Sequence, residues 1–252
     1  YLGVVAYNNI EGVGVMLGFK TDYSFSNKWV LAGQLAYGFT DERYKYLASA
    51  TRILDRNRWT TMSFRARKDI TRLGVDEESL ADNPLFLVAT KSGFIRRGYY
   101  FDEYRMAFQR EFFKGFSQKI SARYWTFEPT YIFGYYENPP PEDTVALNTF
   151  SSTELTMEMR YAKDEIFLQN DNDRISLGTS KWPVISFRYT HGFKNVFGSD
   201  YQYDKIRLNM TKRLKTGPLG VGYLTLSGEY IFNSLPYPLL ALHLGNQSPI
   251  YS

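Results

Sequence analysis

Acid–base catalysis in this chain would have to rest on two histidines, His191 and His243. An imidazole can act as a general base near neutral pH when it lies within hydrogen-bonding reach of a nucleophile. Both histidines stand beside turn-like or irregular segments, and no serine can be assigned to either as its nucleophile. We therefore expect both histidines to be structural and no residue to be catalytic.

Oxygen-rich turns offer the other familiar chemistry, the binding of hard cations. The run Asn170-Asp171-Asn172-Asp173 carries such oxygens, but it lacks the glycine and the closing glutamate of an EF-hand. It indicates a solvated turn. The chain has no cysteine and two histidines, which disfavours a Cys/His metal cage. We expect neither a metal nor a cofactor.

Charged side chains of both signs recur at every second position of otherwise apolar stretches. Because alternate residues of a strand share one face, these charges should lie together and neutralise each other. The set comprises Arg65, Arg67, Glu103, Arg105, Glu111, Lys119, Arg123, Glu154, Glu158, Arg160, Arg188, Arg207 and Glu229.

The stretches that carry these charges read as β-strands. In residues 154–161, ELTMEMRY, the residues Leu, Met, Met and Tyr alternate with Glu, Thr, Glu and Arg. Similar alternation predicts about ten strands of roughly 9–12 residues. Strands of soluble sheets are usually only ~5–6 residues long. No run reaches the ~18 apolar residues of a transmembrane helix.

Short and long connections mostly alternate between the predicted strands, which is typical of an up-and-down barrel in an outer membrane. Tyr and Trp often stand near the turns, as in the aromatic girdles of such barrels. The polar segment 162–182 breaks the rule, and we interpret it as a protruding hairpin or loop. A soluble sandwich or lipocalin-like barrel is the alternative, but its polar face would be richer in Lys, Glu and Thr.

The fold class predicted is therefore all-β, an antiparallel up-and-down transmembrane β-barrel with at least ten strands. At mid-bilayer, an Arg or Lys that faces lipid costs ~2–4 kcal/mol, so the alternating charges should face the lumen. The net charge of +4 is mild and unclustered, which makes nucleic acid an improbable partner.

Four blocks resemble a Bacteroidota family of uncharacterised outer-membrane barrels: YNNIEGVGVMLGF at 7–19, WVLAGQLAYGFTDERYKY at 29–46, PVISFRYTHGFKNVFGSDYQYDKIRL at 183–208, and LPYPLLALHLGNQS at 235–248. The resemblance implies longer members, with an N-terminal domain similar to carboxypeptidase regulatory domains and with further strands. Residues 1–252 would then be one barrel domain that is incomplete at both ends. The family has no accepted activity to transfer to particular residues.

These observations lead to an expected function without catalysis. The chain should be a structural or assembly component of an outer-membrane protein complex in a Gram-negative bacterium. Its partners would be outer-membrane lipid and other outer-membrane proteins. A pore or transporter for small solutes is the second hypothesis. A lipid-modifying barrel enzyme, which would need a Ser–His pair at the outer lipid boundary, is the third.

One apolar segment does not fit a regular strand. Prolines cannot donate to a central ladder, yet the leucines between them are too apolar for a free loop. We predict a partly buried element at one barrel end or in the lumen, covered by lumenal side chains, a partner or lipid. The segment, a candidate docking site, comprises Leu235, Pro236, Tyr237, Pro238, Leu239 and Leu240.

Overall fold

The computed structural model describes residues 2–72, 93–95, 97–130, 149–170, 172–179, 181–215, 217 and 220–240 of the 252-residue chain. The strands are β1 (Leu2–Asn8), β2 (Gly12–Lys20), β3 (Trp29–Gly38), β4 (Tyr44–Asp55), β5 (Thr60–Arg72), β6 (Gly98–Phe113), β7 (Phe116–Pro129), β8 (Phe150–Ala162), β9 (Glu165–Asn170), β10 (Asp173–Thr179), β11 (Val184–Phe193), β12 (Tyr203–Lys215) and β13 (Val221–Ile231). A 3-10 helix over Tyr237–Leu239 follows β13. No helix in these ranges is long and apolar enough to cross a membrane.

Eleven strands form one sheet in the order β1-β2-β3-β4-β5-β6-β7-β8-β11-β12-β13, and each pairs antiparallel with its neighbours. The predicted all-β, antiparallel, up-and-down fold is confirmed. β9 and β10 form a separate hairpin inserted between β8 and β11. Within the described residues, the only strand that pairs with β1 is β2, and the only strand that pairs with β13 is β12. β1 also makes one isolated bridge, between Asn8 and Gly93, so apart from this bridge the sheet has two open edges there.

The meander gives the sheet two different ends. We call the end with the β1–β2, β3–β4, β5–β6, β7–β8 and β11–β12 connections the loop end. The other end, here the turn end, carries the short β2–β3, β4–β5, β6–β7 and β12–β13 turns and the inserted β9–β10 hairpin. Because β1 leads into the β1–β2 turn at the loop end, its first residue lies at the turn end.

The two faces of the sheet reverse the burial usual in water-soluble proteins. On the face that we call inner, Lys45 and Glu103 are each 3% exposed. On the outer face, Leu17 is 62% exposed and Met106 is 50% exposed. Charged residues are almost never fully buried in soluble domains unless they are paired. Other exposed outer-face side chains are Phe19, Leu35, Phe64, Phe108, Ile120, Leu155, Phe187, Leu208 and Leu226.

The turn at residues 8–12 shows how short polar segments connect these strands. Asn8 Oδ1 accepts hydrogen bonds from the backbone N–H groups of Ile10, at 3.0 Å, and Glu11, at 2.8 Å. Asn8 also donates through Nδ2 to the Glu11 carboxylate. Gly12 has φ +65°, a conformation that side chains disfavour. The block YNNIEG therefore specifies a turn.

Candidate functional site

Three arginines form ion pairs with one carboxylate, that of Glu103, on the inner face at the middle of the sheet. The oxygens of Glu103 lie 3.1 Å from Arg65 Nη2, 3.2 Å from Arg105 Nη2 and 2.6 Å from Arg123 Nε. The register places Arg105 directly between Arg65 on β5 and Arg123 on β7. Because like charges in directly opposed positions repel, the buried Glu103 carboxylate is needed to hold this row together.

Beside this cluster, aromatic groups surround a second carboxylate, that of Glu154 on β8. Its Oε1 accepts hydrogen bonds from Trp125 Nε1 and from the Tyr203 hydroxyl, both at 2.7 Å. Arg123 Nη1 lies 3.8 Å from Glu154 Oε2. Glu154 therefore joins the arginine cluster to the aromatic side chains at the loop end.

Charge pairing continues along the inner face toward β13. Arg188 Nη2 lies 2.9 Å from Glu158 Oε2, and Arg207 Nε lies 3.0 Å from Glu229 Oε2. Lys119 stands directly opposite Glu158 in the β7–β8 ladder. The charges predicted to face the lumen are all buried or half-buried, namely Arg65, Arg67, Glu103, Arg105, Glu111, Lys119, Arg123, Glu154, Glu158, Arg160, Arg188, Arg207 and Glu229.

No sequence pattern predicts a second buried ion cluster, which lies at the loop end near β4. Lys45 Nζ lies 2.6 Å from Glu11 Oε1 and 2.7 Å from Asp41 Oδ2. The Tyr100 hydroxyl donates to the same Asp41 oxygen at 2.7 Å. Alternation does place Lys45 on the inner face, but both carboxylates belong to turns, where alternation assigns no face.

An aromatic layer fills the inner face at the loop end. The rings of Phe127 and Phe150 stack with centroids 4.8 Å apart, and Trp125 meets Phe150 edge-on at 5.4 Å. Aromatic pairs in these arrangements add ~0.5–1.5 kcal/mol beyond their buried area. The buried cluster comprises Phe101, Trp125, Phe127, Phe150, Tyr201, Tyr203 and Leu239.

The predicted docking segment lies on this aromatic layer as a non-strand element. Leu239 is 4% exposed within the cluster, and Leu235 packs against it, whereas Tyr237 and Leu240 are exposed. Arg97 Nη1 donates to the Tyr237 hydroxyl at 3.4 Å. Of the covers expected for this segment, the structure shows the inner-face side chains. Its role in docking stays a prediction, and residues 241–248 lie outside the described residues.

The β9–β10 hairpin folds against the turn end. Arg160 on β8 donates two hydrogen bonds to the Glu165 carboxylate, both at 2.6 Å. Arg174 Nη1 lies 2.6 Å from Glu111 Oε2, which projects from the inner face of β6. The prediction of a hairpin in this segment is confirmed, but the expectation that it protrudes is wrong, because these ion pairs hold it against the sheet.

The tip of the hairpin lies at the β2–β3 turn, across the turn end of the sheet from the base of the hairpin at β8. Asn172 Nδ2 donates to the Ser26 carbonyl at 2.7 Å, and Arg56 Nη2 donates to Asn172 Oδ1 at 2.7 Å. Lys20 Nζ lies 2.6 Å from Asp173 Oδ1. The base of the hairpin joins β8 and its tip meets the β2–β3 turn, with β3 to β7 between them in the sheet. The hairpin therefore crosses the turn end of the inner face.

The attachment of the hairpin shifts the titration of Glu165. Burial alone would raise the pKa of its carboxyl, but hydrogen bonds from Arg160 and Ser176 outweigh burial and lower the pKa below the usual 4.5. The carboxylate form is therefore the one that the folded hairpin prefers.

Of the two histidines, His191 belongs to the described part of the chain. His191 lies on the outer face of β11, where its Nδ1 is 2.7 Å from Asp204 Oδ1, and the Tyr189 hydroxyl donates to the same oxygen at 2.5 Å. No serine hydroxyl is hydrogen-bonded to His191 in the described structure, and His243 lies outside it. The described residues also contain no group of three or more His, Cys, Asp or Glu that could hold a metal ion.

An up-and-down antiparallel sheet with ion-paired charges on one face and exposed apolar side chains on the other defines a barrel-like all-β protein. The chain belongs to the family described as "Family of unknown function (DUF5686) C-terminal domain", whose model matches residues 1–235. The description agrees with the expectation of an uncharacterised family. No curated protein matches the chain.

Among solved structures, the chain is similar to BamA from Haemophilus ducreyi lacking POTRA domains 1–3. The sequence identity is 10% and the TM-score is 0.48. The similarity covers 90% of this chain and 40% of that chain, so this chain spans less than half of the BamA structure.

Proposed function

We propose that residues 1–252 form the β-barrel of a non-enzymatic outer-membrane protein in a Gram-negative bacterium of the Bacteroidota. Its role is structural, as a component of an outer-membrane protein assembly. The observation that carries the proposal is the reversed burial of the sheet, with Glu103 and Lys45 inside and Leu17 and Met106 outside. Water would penalise such an outer face by ~25 cal/mol per Å² of apolar area, whereas lipid would not.

The same reasoning supports closure of the sheet by strands beyond those described. Backbone groups at an open edge find no water in a bilayer, so only closed barrels are stable there. The edges at β1 and β13 must then be paired. We propose that strands outside residues 1–252 pair with them, so that this single barrel domain is incomplete at both ends. The family description, a C-terminal domain, supports a preceding region, for which a carboxypeptidase-regulatory-like domain is our proposal.

The contents of the lumen favour a structural role over a pore for small solutes. The aromatic layer with Leu239 fills the loop end, and the β9–β10 hairpin lies across the turn end. Between them, Glu103 and its arginines occupy the interior. A lipid-modifying enzyme has less support, because His191 is paired with Asp204 and no serine hydroxyl is hydrogen-bonded to it in the described structure.

Two adjacent positions on β12 test the membrane assignment. Leu208 is exposed on the outer face, and Asn209 lies on the inner face opposite Ser186 and Ser227. In the full-length protein, Leu208→Arg should strongly reduce the folded, heat-modifiable form in outer membranes, while Asn209→Arg should leave most of it intact. Equal tolerance of the two variants would overturn the proposal.

A further inference from the structure

The β9–β10 hairpin has a second face that nothing in the described structure covers. Ile166, Leu168, Ile175 and Leu177 project from it, each between 51% and 60% exposed. Leu168 and Ile175 are directly opposite each other in the hairpin ladder, so the four branched side chains form one patch. We call these four residues the hairpin patch.

The hairpin cannot bury this patch by turning over. Its other face is fixed by the ion pairs Arg160–Glu165 and Arg174–Glu111. The guanidinium of Arg174 also lies 3.7 Å from the centroid of the Phe167 ring. Flipping the hairpin would break both ion pairs and place four aliphatic side chains against the charged inner face.

The direction of the hairpin also separates the patch from the lipid-facing surface. The hairpin runs from β8 across the turn end of the sheet to Ser26 and Arg56. Its ion-paired face meets the inner-face residues Arg160 and Glu111, so the patch lies on the opposite side of the hairpin and is not part of the outer face of the sheet. A contiguous apolar patch outside the bilayer is typical of a protein–protein contact.

The direction of β1 indicates which part of the polypeptide lies near the hairpin patch. β1 runs toward the loop end, so the chain that precedes it arrives at the turn end, beside the hairpin. We infer that the region of the same polypeptide preceding residue 1 packs on the hairpin patch. This inference rests on the proposed function, which places a further region before this C-terminal domain.

Photo-crosslinking in the full-length protein in native outer membranes tests the inference. With Leu168→p-benzoylphenylalanine, we expect an intramolecular crosslink to peptides that precede residue 1. The same probe at Tyr44, which is exposed at the loop end, should give no such crosslink. A crosslink from position 168 to another protein or to lipid, or none at all, would overturn the inference.

Two variants that each introduce a glutamate, at neighbouring positions of β9, provide a second test. Leu168→Glu should loosen the preceding region and raise its rate of cleavage by an added protease at least several-fold, whereas Gln169→Glu on the same strand should not. Equal cleavage rates in the two variants would contradict the inference. Heat-modifiability measured on the same samples reports barrel formation separately, so its loss would count against the proposed function.

Discussion

The ring of Tyr203 on β12 lies directly over Gly192 on β11. A Cβ atom at position 192 would come within 2.4 Å of a carbon of that ring. The absence of a side chain there lets the Tyr203 hydroxyl reach Glu154 at 2.7 Å. The space left by Gly192 thus allows Tyr203, a member of the aromatic layer, to hydrogen-bond to the charged residue Glu154.

The first prediction concerns this glycine. Gly192→Ala should displace the Tyr203 ring and lower the free energy of unfolding by about 1–3 kcal/mol, as overpacking generally does. Denaturant unfolding of the detergent-folded protein, followed by tryptophan fluorescence, measures the loss. Gly228→Ala is the matched control, because a Cβ there meets nothing within 4 Å. A similar loss in both variants would show that the close approach of Tyr203 is unimportant.

The second prediction concerns the arginine cluster. Glu103→Gln leaves Arg65, Arg105 and Arg123 without their shared counter-charge, and removing one member of a buried pair typically costs about 3–5 kcal/mol. Glu128→Gln removes an exposed partner of Arg43, 2.8 Å away, and should cost at most ~1 kcal/mol. The same unfolding measurement compares them. If the two variants lose equal stability, the cluster at Glu103 is not a structural centre.

The third prediction concerns the pH dependence of the hairpin. The folded-state pKa of Glu165 is lowered below about 4.5, so its stabilising contribution is fully present above that pH. The contribution is lost as the pH falls below 4.5 through the folded pKa. Amide hydrogen exchange in β9 and β10, corrected for the intrinsic effect of pH, should accelerate in this range.

Glu165→Gln provides the control for this pH dependence. The variant should already exchange faster at neutral pH and show little further change on acidification. An unchanged pH response in the variant would mean that another group holds the hairpin.

Much of this architecture could be predicted from the sequence because the side-chain period of a strand is two. Alternation in β8 alone places Glu154 and Glu158 on one face and Leu155 on the other. It cannot specify which charges meet, since pairing depends on the register between strands that are distant in sequence. The three contacts of Glu103 therefore emerge only from the structure.

Other features of the structure could not be predicted from the sequence, because they do not depend on the alternation of side chains along a strand. β1 has 7 residues, which is shorter than the roughly 9–12 residues that alternation predicts for the strands. The turn residues Glu11 and Asp41 enclose Lys45, although no periodic pattern assigns them a face. The path of the β9–β10 hairpin is fixed by contacts such as Arg174–Glu111, whose partners are far apart in the chain.

The fourth prediction concerns conductance. Because the aromatic layer and the hairpin lie at the two ends of the lumen, the full-length protein in a planar bilayer should show little steady conductance. Large and stable channels would instead support the pore hypothesis. A control protein with a known open channel, reconstituted in the same way, verifies insertion.

Spin labels along β12 test the central claim, that the apolar face contacts lipid, most directly. Labels placed one at a time at positions 206 to 210 of the membrane-embedded full-length protein would report collisions with oxygen, which concentrates in lipid. If the apolar face contacts lipid, oxygen accessibility should alternate with a period of two, being high at Ile206, Leu208 and Met210 and low at Arg207 and Asn209. Access of a water-soluble nickel reagent to Leu208, with no oxygen alternation along the strand, would contradict it.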